Sequence, residues 1–185
     1  MRLSASAALL LLGAAGASAA PVPLVNPGFE SLRPGIEGHP EGWTGIQHAG
    51  EESYDFALDS GQRRTGTQSM RIKRIGPEPY GSIMQVIDGT PLAGRTVRLS
   101  AWMRSEAVAE KGGGGAALTL TAMRGSSIIA YEFMKRSRVR GTRDWTRVSI
   151  DLALPARTTR IELGAMLEGD GTVWVDDFEL EVLDP

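Results

Sequence analysis

Two adjacent carboxylates, Asp176 and Asp177, interrupt an otherwise apolar run, VWVDDFEL, near the C-terminal end of the chain. Valine, tryptophan and phenylalanine flank them, so the run reads as a β-strand. A carboxylate facing a core needs a counter-charge, hydrogen-bond donors or a metal ion. Alternation along a strand groups Asp176 with Trp174, Phe178 and Leu180, and Asp177 with Val175 and Glu179. Asp176 is therefore the acid expected to point inward and to need a partner. The same alternation argues against a catalytic pair, because carboxylates on opposite faces of a strand cannot flank one glycosidic bond.

Other chemistry is sparse. The two histidines, His39 and His48, both lie in a Pro- and Gly-rich N-terminal stretch. Neither G-x-S-x-G nor H-E-x-x-H occurs, and the chain has no cysteine to act as nucleophile or metal ligand. Tyr131 near Lys135 and Arg136 is the one hint of a lyase-type base. These signals favour a protein that is not an enzyme. One basic run, KRSRVRGTR over Lys135–Arg143, stands out. It reads either as a solvated strand end and loop or as a contact for an acidic polymer or lipopolysaccharide.

The elements that must position these residues are short strands. Glycine (23) and proline (10) punctuate the chain, and the pieces between them alternate. Thr96–Arg104 places Val97, Leu99, Ala101 and Met103 on one face and Arg98, Ser100, Trp102 and Arg104 on the other. Ala116–Met123 and Ile128–Met134 are set to pair across a turn at Arg124–Ser127. Gln68–Ile75, Gly81–Ile87, Trp145–Leu152 and Thr159–Leu167 read as further strands. A GDG turn precedes the last one, Thr172–Val182. Eight to ten strands with no long amphipathic helix predict an all-β fold of two antiparallel sheets. No internal repeat and no domain boundary is visible. The four glycines within EKGGGGAA carry no phosphate-loop pattern.

The first residues have a different character. Arg2, an apolar run around Ala7–Leu12 and the small residues Ala17-Ser18-Ala19 form the pattern of a secretory signal, with cleavage expected after Ala19. The apolar run is too short to span a bilayer, and no second one is long enough. The expected organisation is a signal over residues 1–19 and one domain over 20–185, in the periplasm or outside the cell. The near balance of 20 Lys and Arg against 22 Asp and Glu argues against nucleic acid as partner.

Five pieces occur in a telling order: LVNPGFE with Trp43 following it, TGTQS, TVRLSAWMR, WTRVSIDLALP and VWVDDFEL. Together they resemble the galactose-binding-like jelly rolls, in particular the carbohydrate-binding modules of bacterial xylanases and cellulases. The likeness runs from Val25 to Val182. The later pieces also resemble a β-sandwich domain appended to some bacterial regulators and hydrolases. The resemblance implies a jelly-roll β-sandwich with a structural calcium between its terminal strands. Glu30 and Asp176 would supply carboxylates, and the Thr65–Gln68 stretch, notably Thr65 and Gln68, backbone carbonyls.

It further implies a non-catalytic role in which an exposed sheet face binds a glycan. Trp102 is the expected stacking residue, with Arg98 and Arg104 donating to sugar oxygens and Tyr131 on the following hairpin. Tyr54 and Tyr80 would line an edge, whereas Trp43, Trp145 and Trp174 are expected to pack. The alternative is an envelope structural or sensory protein that contacts another protein through the same fold. A polysaccharide lyase comes third.

Overall fold

The computed structural model describes residues 19–35, 38–110 and 113–183; residues 1–18 of the expected signal lie outside them. The described residues form a sandwich of two antiparallel sheets, with a single 3-10 turn, Thr90–Leu92. The strands are β1 (Ala20–Val22), β2 (Thr44–Gln47), β3 (Tyr54–Asp59), β4 (Ser69–Arg74), β5 (Tyr80–Asp88), β6 (Thr96–Val108), β7 (Gly115–Arg124), β8 (Ser127–Glu132), β9 (Gly141–Ala153), β10 (Arg160–Glu168) and β11 (Thr172–Val182). One sheet runs β3-β4-β11-β6-β9, with β1 added beside β11. The other runs β2-β5-β10-β7-β8.

The alternation read in the sequence is the packing of the core. Val97, Leu99, Ala101 and Met103 of β6 are fully buried, as are Ile161, Leu163, Ala165 and Leu167 of β10. Burying each large aliphatic side chain contributes roughly 1.5–3 kcal/mol, so these two central strands anchor the sandwich. Gly125, at φ 58°, permits the tight β7–β8 turn at the expected place. The three strands not foreseen are β1, β2 and β3. They are short and lie in or beside the Pro- and Gly-rich N-terminal stretch, where alternation is weak.

The face assigned to Asp176 needs correcting. Asp176 pairs with Trp102 of β6, but Glu179 pairs with Ser100, so β11 carries one extra residue between them. Asp177 takes a left-handed φ of 50° inside this bulge. The extra residue inverts the alternation. Asp176 stays on the outer face with Trp174, while Phe178 and Leu180 turn into the core. Tyr54 is also corrected: it opens β3, is 1% exposed and belongs to the core rather than to an open edge.

The bulge sits at a break in the neighbouring strands. β4 pairs with Thr172–Val175 and β1 with Leu180–Val182, both beside β11 but at its two ends. Residues 26–30 fill the gap, and the Phe178 amide donates to the Pro27 carbonyl at 3.0 Å. Phe29, Trp43 and Phe178 cluster beneath it, with ring centroids 4.7–6.0 Å apart.

Candidate functional site

Asp176 has no exposed surface, yet its carboxylate is well supplied with donors. Oδ2 accepts the amides of Arg64 (2.9 Å) and Thr65 (3.3 Å), and Oδ1 accepts the amide of Asp177 (2.9 Å). Asp177 Oδ1 accepts the Thr65 hydroxyl at 2.7 Å. Glu30 works on the other end of the same loop. It accepts the Thr67 amide at 3.0 and 3.1 Å, the Thr67 hydroxyl at 2.5 Å and the Gln68 amide at 3.4 Å. Gln68 Nε2 in turn donates to the Phe29 carbonyl at 2.7 Å. The three acids therefore clasp residues 64–68 from both ends. Gly66 is required between them: at φ 57° any other residue is strained, and a Cβ there would collide with Glu30 Oε1.

Burial pushes the Asp176 carboxyl up to about 6; the Arg64 amide opposes the rise and the charge of Asp177 adds to it. For Glu30 desolvation acts upward too, but the hydrogen bonds from Thr67 and Gln68 outweigh it and hold the group below the ordinary glutamate range.

Glu30, Thr65, Gln68 and Asp176 do meet, as the resemblance required. Their donor set does not fit calcium in this arrangement. A calcium ion takes six to eight oxygen ligands, whereas the oxygens of Glu30 and Asp176 face the amide protons of Arg64, Thr65, Thr67 and Gln68. Among the described residues no group of three carboxylate or imidazole side chains is placed to hold a metal.

The expected glycan-binding residues are split between the two outer faces. Trp102, Arg98 and Arg104 lie on the six-stranded sheet, and Tyr131 lies on the five-stranded one. Trp102 is covered: the clasped loop places the Arg64 guanidinium 4.2 Å from its ring centroid. Arg98 grips Asp151 through two bonds of 2.7 Å, and Arg104 donates to Asp144 at 2.7 Å. Arg71–Asp55 and Arg147–Glu179 extend this lattice of cross-strand ion pairs. Arg64 thus occupies part of the half-buried Trp102 ring, and both arginines already have carboxylate partners.

The opposite face is a groove of about 430 Å³. Its floor comes from the outward positions of the central strands: Ser82, Thr119, Thr121, Glu162, Met166 and Glu168. Gly164, registered between Met84 and Thr119, adds no side chain to that floor, and a Cβ there would collide with the Ile83 carbonyl. One wall carries Tyr131 and Phe133, stacked with centroids 5.5 Å apart. Tyr131 is 60% exposed and Ile128 61%. Tyr80 and Ile46 form the other wall. Arg138 closes one end, bonded to Glu168 and 5.6 Å from the Phe133 ring centroid.

Of the groove residues, Tyr131 and, at an edge, Tyr80 are the ones the sequence offers for glycan contact. The signal for the rest lay in the polar and small residues alternating with the core set of β10: Glu162, Gly164, Met166 and Glu168.

A second, smaller opening of about 310 Å³ lies where β2 and β3 meet at the sandwich edge. Trp43, Phe56, Met70 and Ile83 line its depth, and Arg33, His39, Glu52 and Asp55 contribute polar groups. His48 is elsewhere, bonded to Glu78 at 2.9 Å.

No family model and no curated protein sequence matches the chain. Solved structures do. The CBM22-1 xylan-binding domain of Paenibacillus barcinonensis Xyn10C is 14% identical, with a TM-score of 0.58 over 85% of this chain and 92% of that one. An apo-form cyclase from Fischerella sp. is 14% identical, with a TM-score of 0.63 over 91% and 99%. The enzymatically active domain of bacteriophage CBA120 tailspike protein 4 is 12% identical; the TM-score is 0.60 over 86% of this chain and 21% of that one.

The fold is thus that of the carbohydrate-binding modules the sequence resembles. Binding modules and enzymes alike are built on it.

Proposed function

We propose that the chain is a non-catalytic carbohydrate-binding protein and that its glycan lies in the groove of the five-stranded sheet. The observation that carries this reading is the stacked Tyr131–Phe133 pair, with Tyr131 exposed, on the wall of a groove whose floor is set with hydroxyls and carboxylates. An aromatic face packs against the C–H face of a sugar ring, while Thr119, Thr121 and Glu162 hydrogen-bond its hydroxyls. The xylan-binding domains of the same fold make xylan the first polysaccharide to try. Export before folding agrees with the signal-like residues 1–19, and the first strand begins at Ala20.

Affinity electrophoresis against a panel of soluble polysaccharides tests the reading. Retardation of the wild-type protein, lost in Tyr131→Ala and kept in Trp102→Ala, is the expected result. No retardation by any polysaccharide, or a Tyr131→Ala variant that binds as well as wild type, would overturn it.

The opening between the sheets favours a second reading, an enzyme for a small apolar molecule. Buried Trp43 and half-buried Phe56 line it beside Glu52 and Asp55, and Fischerella cyclases of this fold have been solved with indole compounds. A thermal shift caused by small indoles and abolished in Asp55→Asn would support it.

A further inference from the structure

The basic run Lys135–Arg143 joins the groove, and the way it is held decides what it can do. Two buried side chains pin its first part. Met134 is 4% exposed and accepts the Leu118 amide on its sulfur at 3.1 Å. Val139 is 7% exposed and exchanges backbone hydrogen bonds of 2.8 and 2.9 Å with Ala116. The residues between these anchors must bulge outward. Ser137 closes a turn onto the Met134 carbonyl at 3.0 Å, and Met134 takes a φ of 52° to start it. Glu132 Oε1 fastens the turn from the groove side by accepting the amides of Phe133 (3.0 Å) and Met134 (2.9 Å).

Lys135 and Arg136 are thereby held exposed at the mouth of a hollow of about 370 Å³. That hollow and the groove both have Glu132 in their lining, so they lie side by side.

The charges in the run are largely unspent. Of its five cations, only Arg138 has an acid partner among the described residues, Glu168. Arg140 and Arg143 donate to the backbone carbonyls of Gly114 and Arg140. Lys135 and Arg136 have no partner among the described residues. Asp144, the next acid along the chain, is held by Arg104 and by the Trp145 amide. On the outer face of the six-stranded sheet, by contrast, Arg71, Arg98, Arg104 and Arg147 each meet a carboxylate.

We propose that the Lys135-Arg136 turn receives an acidic substituent of the glycan lying in the groove, so that the ligand is an acid-bearing carbohydrate. This rests on the groove reading and adds the ligand's charge to it. A carboxylate, sulfate or phosphate on a sugar beyond Tyr131 and Phe133 reaches Lys135 and Arg136, which form no ion pair among the described residues. Arginine takes such an oxyanion through two parallel N–H donors, and lysine as a point charge.

Binding to two matched pairs tests this: arabinoxylan against glucuronoxylan, and dextran against dextran sulfate, with the whole mature protein. The wild type should bind the acidic member of a pair about three- to tenfold tighter at low salt, the gain expected of two exposed charge pairs. The preference should shrink as salt is raised. It should vanish in the Lys135→Ser/Arg136→Ser double variant, which keeps its affinity for the neutral member. The pair that shows the preference identifies the oxyanion. Equal binding of neutral and acidic members, or a preference that survives the double substitution, overturns the inference and leaves the groove standing. Failure to bind any of the four sinks the groove reading and this inference with it.

Discussion

Asp176 accepts the amide of Arg64 at 2.9 Å across 112 positions of sequence, and the guanidinium of the same Arg64 lies 4.2 Å from the centroid of Trp102. One residue thus fastens its loop by its backbone and covers the sheet by its side chain. These two roles have different sizes. Asp176→Ala strands amides that Asp176 alone accepts, at about 1–3 kcal/mol for each unsatisfied group. Arg64→Ala keeps the amide and loses a partly exposed cation–π contact, about 1 kcal/mol. Chemical denaturation should rank Asp176→Ala as the more destabilised by at least twofold. Equal losses would show that the loop is held mainly by the side chain on Trp102.

The two ends of the clasp respond to pH in opposite senses. Asp176 is raised to about 6, so between its unfolded value near 4 and 6 the folded chain binds more protons than the unfolded one. Its contribution therefore falls as pH rises through that window, by on the order of 3 kcal/mol. Glu30 is held low, so its contribution is present at neutral pH and is lost as pH falls through its folded value. Melting temperature should rise as pH is lowered from 7 to 5 and then drop. Asp176→Asn should remove the rise, and Glu30→Gln should remove part of the drop. A flat wild-type curve from pH 7 to 5 would contradict the assignment to Asp176.

In this arrangement these carboxylates face hydrogen-bond donors. Adding calcium in the millimolar range, or chelator to protein as purified, should move the melting temperature by less than about 1 °C, because a ligand that does not bind the folded state cannot stabilise it. A calcium-dependent rise of several degrees, lost in Glu30→Gln, would mean that the loop amides turn away and their carbonyls replace them.

The groove can be blocked without touching its aromatic wall. Thr119→Trp fills the floor from a strand whose inward residues are unchanged, and it should abolish glycan retention with little change in melting temperature. Trp102→Ala should do the reverse, lowering stability while leaving retention intact. Retention by the Thr119→Trp variant would place the ligand outside the groove.

The inward sets of β6 and β10 were legible because alternation over a regular strand maps directly onto burial: β6 keeps its register with β9 from Val97 to Met103, and β10 keeps its register with β5 and β7. The face of Asp176 was not, because one inserted residue inverts everything after it, and Asp177 at positive φ is not a glycine that would have announced the bulge. The pairing of Glu30 with Asp176 was readable as proximity only; whether amides or carbonyls of the 64–68 loop face the acids depends on backbone rotation that residue types do not encode. Trp102 was misleading for a similar reason. Its outward position is as expected, but the cover comes from Arg64, far away in sequence.

β11 is the last strand to be synthesised, and it has β1, β4 and β6 all bonded along it. β4 and β6 share no direct ladder, so β11 is the keystone of the six-stranded sheet. A truncation before Thr172 removes that keystone and should leave a product in which the six-stranded sheet never closes.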